Sequence, residues 1–168
     1  VFIDAEVARH LDIANELPSG LRIVILDPTR DGVQQMAEAL AGQRDVSAVH
    51  ILSHGEAGSI RLGSTNLDAT SINSTHAQAL RLIGDALSED GDLLIYGCSF
   101  AAGSTGSLTL DALARATGAD VAASEDLTGA AALGGNWILE RQSGAVETRS
   151  IAALGYASLL ADPVARPV

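Results

Sequence analysis

The sequence predicts an α/β domain of three layers, with a mainly parallel central sheet between helices and a C-terminal β-hairpin added at the end. Two observations predict it. Short apolar runs rich in Val, Ile and Leu recur from Val1 to Ala123, and stretches with apolar residues at helical spacing lie between them. Strands that are apolar throughout, alternating with helices, are the pattern of parallel strands buried on both faces. Length is the third observation. At 168 residues the chain suffices for one domain, read as residues 1–161, with residues 162–168 as a loose, proline-containing tail.

The elements follow in order. Val1-Phe2-Ile3 is a short strand, and a helix runs from about Val7 to Leu17, broken by Pro18-Ser19-Gly20. Arg22 to Leu26 is the next strand, and Asp27 to Gly32 a turn. Val33 to Ala41 sets Val33, Met36, Ala37 and Leu40 on one helical face. Val46 to Leu52 is a strand that ends in Ser53-His54-Gly55. Ser59–Leu62 and Asn66–Asp68 flank Gly63-Ser64-Thr65 as a small hairpin. A helix covers Thr75 to Leu87, and the strand Asp92 to Tyr96 runs into Gly97-Cys98-Ser99. Ser104 to Thr117 is helical with Gly118 as its C-cap, and leads to the strand Asp120 to Ala123. Asn136–Arg141 and Ala145–Thr148 read as the C-terminal hairpin, and Ser150–Leu160 as a last helix.

Composition excludes several classes. The ten basic residues are all arginines. Without lysine there is neither a P-loop nucleotide site nor Schiff-base chemistry. A net charge of −11 repels phosphate backbones and anionic lipid, so no nucleic-acid partner is expected. No apolar run approaches the ~20 residues of a membrane helix, so no membrane insertion is expected. The single cysteine, Cys98, rules out an internal disulfide and a thiolate zinc cluster. The chain opens at Val1 with no charged-then-apolar leader, and is read as one domain of a longer polypeptide.

Ligand and catalytic groups of parallel sheets gather beyond the carboxyl ends of the strands. His54 and Cys98 each follow an apolar strand there, with one crossover helix between them, so the two strands are expected side by side. An imidazole beside a thiol supplies or stabilises the thiolate at neutral pH. Gly55 and Gly97 permit close backbone approach, and the N–H groups of Gly55 and Cys98 are candidate donors to an oxyanion. A lone cysteine is more often a small buried hydrophobe. The pairing of Gly-Cys with His-Gly after two strands tips the reading toward a reactive pair.

These two blocks, Ala-Val-His-Ile-Leu-Ser-His-Gly and Leu-Leu-Ile-Tyr-Gly-Cys-Ser, resemble those of the caspase-like cysteine peptidases. Across Val1 to about Glu140 the chain also resembles a bacterial domain family of unknown function, found near the start of very large secreted or surface proteins with adhesin-like repeats. Phe-Ile-Asp, Leu-Asp-Pro-Thr-Arg-Asp-Gly-Val and Ala-Ala-Ser-Glu-Asp-Leu-Thr-Gly carry that resemblance. It implies a caspase-like sheet, with Cys98 as nucleophile and His54 as base or proton shuttle. The order of proton transfers stays open. It further implies that the ends of the outer strands help form the pocket for the residue before the cut. Those ends carry Asp4 on one side and Ser124, Glu125 and Asp126 on the other, so a basic residue is expected there. The alternative, that Asp4 and Asp126 cap turns or helices, stands beside it.

The expected function is therefore a cysteine endopeptidase acting on a polypeptide such as its own parent chain, at the cell surface or outside it. The alternative is an inert binding or structural module of an adhesin. No cofactor and no metal are assigned. His50 and His54 lie about 13 Å apart on a strand, too far for one zinc, and His50 is read as a packed strand residue. His10 and His76 are expected on solvent-facing helix surfaces, and Trp137 over the sheet edge.

Overall fold

Why the sheet forms where it does is plainest in its centre. The computed structural model describes residues 1–8, 13–153 and 155–161; His10 and the expected tail 162–168 lie outside them. In chain order the elements are β1 (Phe2–Asp4), α1 (Ala5–Ala8), α2 (Ile13–Glu16), β2 (Val24–Leu26), α3 (Gly32–Leu40), β3 (Val46–Leu52), β4 (Gly55–Glu56), β5 (Ser59–Leu62) and β6 (Thr65–Asp68). They continue with α4 (Ala69–Ile72), α5 (Ala77–Ala86), β7 (Leu87–Tyr96), α6 (Gly103–Thr117), β8 (Asp120–Ala123), a 3-10 turn (Ala131–Leu133) and β9 (Arg141–Ser143). Six strands form one sheet in the order β2-β1-β3-β7-β8-β9, and β4-β5-β6 form a separate antiparallel meander. The first five are parallel; β9 alone runs antiparallel, with Ala122 opposite Gln142.

Side chains of successive strand residues point to opposite faces, and both faces are dry. Val49, Ile51, Leu93 and Ile95 join Met36, Leu80, Ile83, Leu110 and Leu113 from α3, α5 and α6 in one core. Leu52, Leu94 and Tyr96 face the other way, onto Val7, Ile13, Trp137, Tyr156 and Leu160. The architecture is a three-layer α/β fold. Helices α3, α5 and α6 cover one face of the sheet. The other is covered by α1, α2 and an irregular C-terminal segment.

Local signals account for the helix ends. Asp31 accepts from the backbone N–H of Val33 at 2.9 Å and of Gln34 at 3.1 Å, which satisfies two orphan donors of α3. Asp68 and Ser71 exchange the reciprocal bonds of a capping box on α4, a helix the sequence reading did not anticipate. Gly118 ends α6 in the left-handed region, at φ 73°.

Four expectations change. Strand β7 starts at Leu87 rather than Asp92; Leu87 pairs with Val46, and the residues before Asp92 bulge from the ladder. The C-terminal hairpin is absent. Only β9 pairs, because the N–H groups of Glu147 and Thr148, which a second strand would need, donate to the Asp92 carboxylate at 3.2 and 2.8 Å. The last helix is absent among the described residues too. Ile151 N–H donates to the Tyr96 hydroxyl at 2.8 Å; further on, Tyr156 N–H donates to Ala153 carbonyl at 2.9 Å, and Leu159 and Ala161 make isolated β-bridges. His76 is buried rather than solvent-facing, its Nε2 2.8 Å from Asp31 Oδ2.

Candidate active site

Strands β3 and β7 are neighbours in register, Leu52 opposite Tyr96. Ser53 N–H extends the ladder by donating to Tyr96 carbonyl at 3.1 Å, so His54 and Cys98 continue from matched positions at the carboxyl ends of adjacent strands. Glycine fits closely where the strand ends close up. A Cβ on Gly55 would meet the Gly97 carbonyl carbon at 3.0 Å and the Cys98 carbonyl oxygen at 3.2 Å. His54 and Cys98 are both buried, at 7% and 2% exposure.

The two amides expected to hold an oxyanion do converge on one oxygen, and it belongs to the chain itself. Gly55 N–H and Cys98 N–H donate to the carbonyl of Leu160 at 3.0 and 3.1 Å. The sulfur lies beside Thr128, whose carbonyl accepts from it at 3.4 Å and whose N–H donates to it at 3.2 Å. Burial pushes the Cys98 thiol above its ordinary pKa, against backbone hydrogen bonds at Thr128 and Leu160 that pull it down. Covered in this way, the neutral thiol is favoured over the thiolate.

The turn that presents Cys98 is held from β8's far end. Ser99 sits in the left-handed region at φ 57°, a conformation that persists only when neighbours enforce it. Here Ser99 N–H donates to Asp126 carbonyl at 2.7 Å and Ala101 N–H to Ser124 carbonyl at 2.8 Å. Ser124 and Asp126 thus reach the site through their backbones. The Ser124 hydroxyl is turned inward to the Asp126 carbonyl at 3.1 Å. Asp126 is exposed, and its carboxylate is gripped by the Asn136 amide at 3.2 and 3.0 Å. Glu125 pairs with Arg141.

Asp4 requires a correction. It is 2% exposed, and its two oxygens accept from Glu6 N–H at 3.0 Å and Gly63 N–H at 2.9 Å. Buried and doubly bonded to backbone, it offers no carboxylate to a substrate side chain; it ties β1 to the β5–β6 turn. The capping alternative describes it. Thr128, Gly129 and Leu160 are the residues the sequence reading missed as part of this site. Gly129 stood in the Asp-Leu-Thr-Gly block, but nothing local marks Leu160.

A domain-family pattern, described as a domain of unknown function (DUF4347), matches residues 1–159. The chain belongs to this family. No curated protein and no solved structure matches it. In this DUF4347 domain, Asp92, Asp120 and Glu147 bring carboxylate oxygens within 4.8 Å of one another, the one group among the described residues that could hold a cation. They stand where β7 and β8 begin their pairing, with Asp92 opposite Asp120, away from the carboxyl ends that carry His54 and Cys98. Asp92 also organises the backbone at Glu147 and Thr148. At the other end of the DUF4347 sheet, two amides aimed at one carbonyl oxygen, with a sulfur and an imidazole on the same strand ends, make an arrangement suited to acyl transfer.

Proposed function

We propose that this domain is a cysteine endopeptidase of the caspase-like kind, processing the longer polypeptide to which it belongs. The observation that carries the reading is the convergence of Gly55 and Cys98 N–H groups on a single peptide carbonyl. Donors so arranged stabilise the tetrahedral oxyanion of acyl transfer more than the ground-state carbonyl. Cys98 is the nucleophile. His54 takes the thiol proton and returns it to the leaving amine. The strand order, with the histidine strand beside the cysteine strand at the sheet centre, supports kinship with the caspase-like peptidases.

A polypeptide substrate agrees with the acidic, lysine-free composition, which disfavours nucleic acid. Among the described residues no helix is long and apolar enough to cross a membrane. The resemblance to domains of adhesin-like proteins supports a secreted or surface location as part of a larger protein. Neither outer strand end presents a free carboxylate to a basic residue before the cut: Asp4 is buried and bonded to backbone, and Asp126 is held by Asn136. The second reading is an inert structural module, and the 2% exposure of Cys98 is the observation that favours it.

Mass spectrometry of the parent polypeptide, incubated alone at neutral pH, separates the two. The expected result is a fragment that disappears in Cys98→Ala and forms about 10²–10⁴-fold more slowly in His54→Ala. An intact parent, or the same fragment from Cys98→Ala, would overturn the peptidase reading.

A further inference from the structure

The C-terminal segment lies in the site, bonded main chain to main chain. Leu160 N–H donates to Thr128 carbonyl at 2.8 Å, and Ala130 N–H to Ser158 carbonyl at 2.8 Å, so Leu159 pairs antiparallel with Gly129. On its other side Ala161 bridges Gly55 in parallel fashion. The segment is thus held between two loops by isolated β-bridges, main-chain bonds of the kind by which sheet edges recognise peptides.

The groove is shaped for that backbone. Gly129 has φ 131°, and a Cβ there would come within 2.4 Å of the Ser158 carbonyl oxygen; one on Gly135 would meet the Leu159 side chain at 2.8 Å. Leu160 is fully buried, at 0% exposure, among Tyr156, Tyr96 and Cys98. Burial ends abruptly at the next residue, for Ala161 is only half-buried. The Leu160 carbonyl is the one that receives both the Gly55 and Cys98 amides, and the Cys98 thiol shares the Thr128 carbonyl with Leu160 N–H.

Resting on the peptidase reading above, we propose that the substrate of this site is the domain's own chain, and that the bond it cuts is Leu160–Ala161. The pocket before the cut takes an aliphatic side chain. In the first step the Cys98 proton passes to His54 and the sulfur attacks the Leu160 carbonyl carbon. The bond to Ala161 nitrogen breaks, and that nitrogen receives the proton from His54. The intermediate is a thioester between Cys98 and Leu160. Water then supplies hydroxide to the carbonyl carbon and a proton to the sulfur, and the Leu160 carboxylic acid so formed gives its proton to solvent, leaving a Leu160 carboxylate and a free thiol. That carboxylate still faces the two amides, and hydrogen bonds to an ion are stronger than those to a neutral carbonyl. The product end therefore stays seated, and each copy acts once.

The test is intact-mass and peptide mass spectrometry of the 168-residue chain at neutral pH, with wild type, Cys98→Ala and Ala161→Pro compared. Wild type is expected to release the peptide Ala161–Val168 and to end at Leu160; both variants are expected to lose that product. Ala161→Pro replaces the leaving nitrogen by a tertiary amide while keeping Leu160, Gly55 and Cys98, and thermal melts of both variants check that they fold. A Cys98-dependent cut at another bond, with Leu160–Ala161 intact, overturns this inference and leaves the peptidase reading standing. No cut in wild type overturns this inference and leaves the peptidase reading to the test on the parent polypeptide; a cut that persists in Cys98→Ala overturns both.

Discussion

His50 shows how much a single position in the sheet can cost or contribute. It is buried on β3, with Nδ1 3.0 Å from the Tyr96 hydroxyl, which in turn accepts from Ile151 N–H at 2.8 Å. The three groups link the sheet centre to the C-terminal segment. Burial lowers the His50 pKa from 6.5 to about 4, because the imidazolium would lose its hydration there. The unfolded chain binds this proton at higher pH than the folded one does. Stability from this residue is therefore complete above pH 6.5 and falls as the pH drops toward 4. At ~1.36 kcal/mol for each tenfold loss of proton affinity, the decline is on the order of 3 kcal/mol. Urea denaturation between pH 7 and 4 is expected to show it, and His50→Gln to flatten it. A decline equally steep in His50→Gln would place the acid sensitivity elsewhere.

Among the elements, the decisive one is the segment from Tyr156 to Ala161, which has no regular structure of its own and is held by others. Its bonds run to Thr128, Ala130, Gly55 and Cys98, and Gly129 allows it to sit down. Replacing Gly129 by alanine combines a backbone conformation that L-residues rarely adopt with a Cβ in the path of Ser158. Such strain is worth about 1–3 kcal/mol, enough to raise local opening roughly tenfold or more. Cys98 in the wild type is expected to react slowly with iodoacetamide, and in Gly129→Ala about tenfold faster. Equal rates in two folded proteins would mean that the segment is not what covers the sulfur. The turn from Gly97 to Ala102 is a second such element, positioned by the carbonyls of Ser124 and Asp126.

Taken whole, the molecule has two faces of different character. One is closed by α3, α5 and α6, which form regular amphipathic helices; the other is closed by α1, α2 and irregular chain whose Trp137 and Tyr156 pack in succession on Tyr96 of β7, with ring centroids 6.1 and 6.2 Å apart. The second face contains the candidate site and the peptide that fills it. In the proposed cleavage, nucleophile and scissile bond belong to one folded unit, so the reaction would be unimolecular, with effective molarities for such arrangements reaching about 10⁵–10⁸ M. Cleavage is expected to follow first-order kinetics with a rate constant independent of protein concentration. An isotopically labelled Cys98→Ala chain mixed with wild type should stay intact. Processing of the labelled chain in proportion to wild-type concentration would show that the site accepts substrate from solution.

What the amino-acid sequence determined by itself are the features whose physical cause is local or periodic. Val46–Leu52 and Asp120–Ala123 are strands at the expected limits, because β-branched and apolar runs bounded by turn residues have few other low-energy choices. Gly118 stops α6 because it alone enters the left-handed region without strain. The adjacency of the His-Gly and Gly-Cys strand ends follows from one crossover between parallel strands. The tertiary structure decided everything that depends on which distant group supplies a hydrogen bond. Asp4 answers to Gly63, His76 to Asp31, and the residues after Ile151 leave a helical pattern because Tyr96, Thr128 and the Gly55 and Cys98 amides satisfy their backbone instead. Spacing along a chain specifies which face a residue takes, whereas the partner that closes its polar groups exists only once remote segments meet.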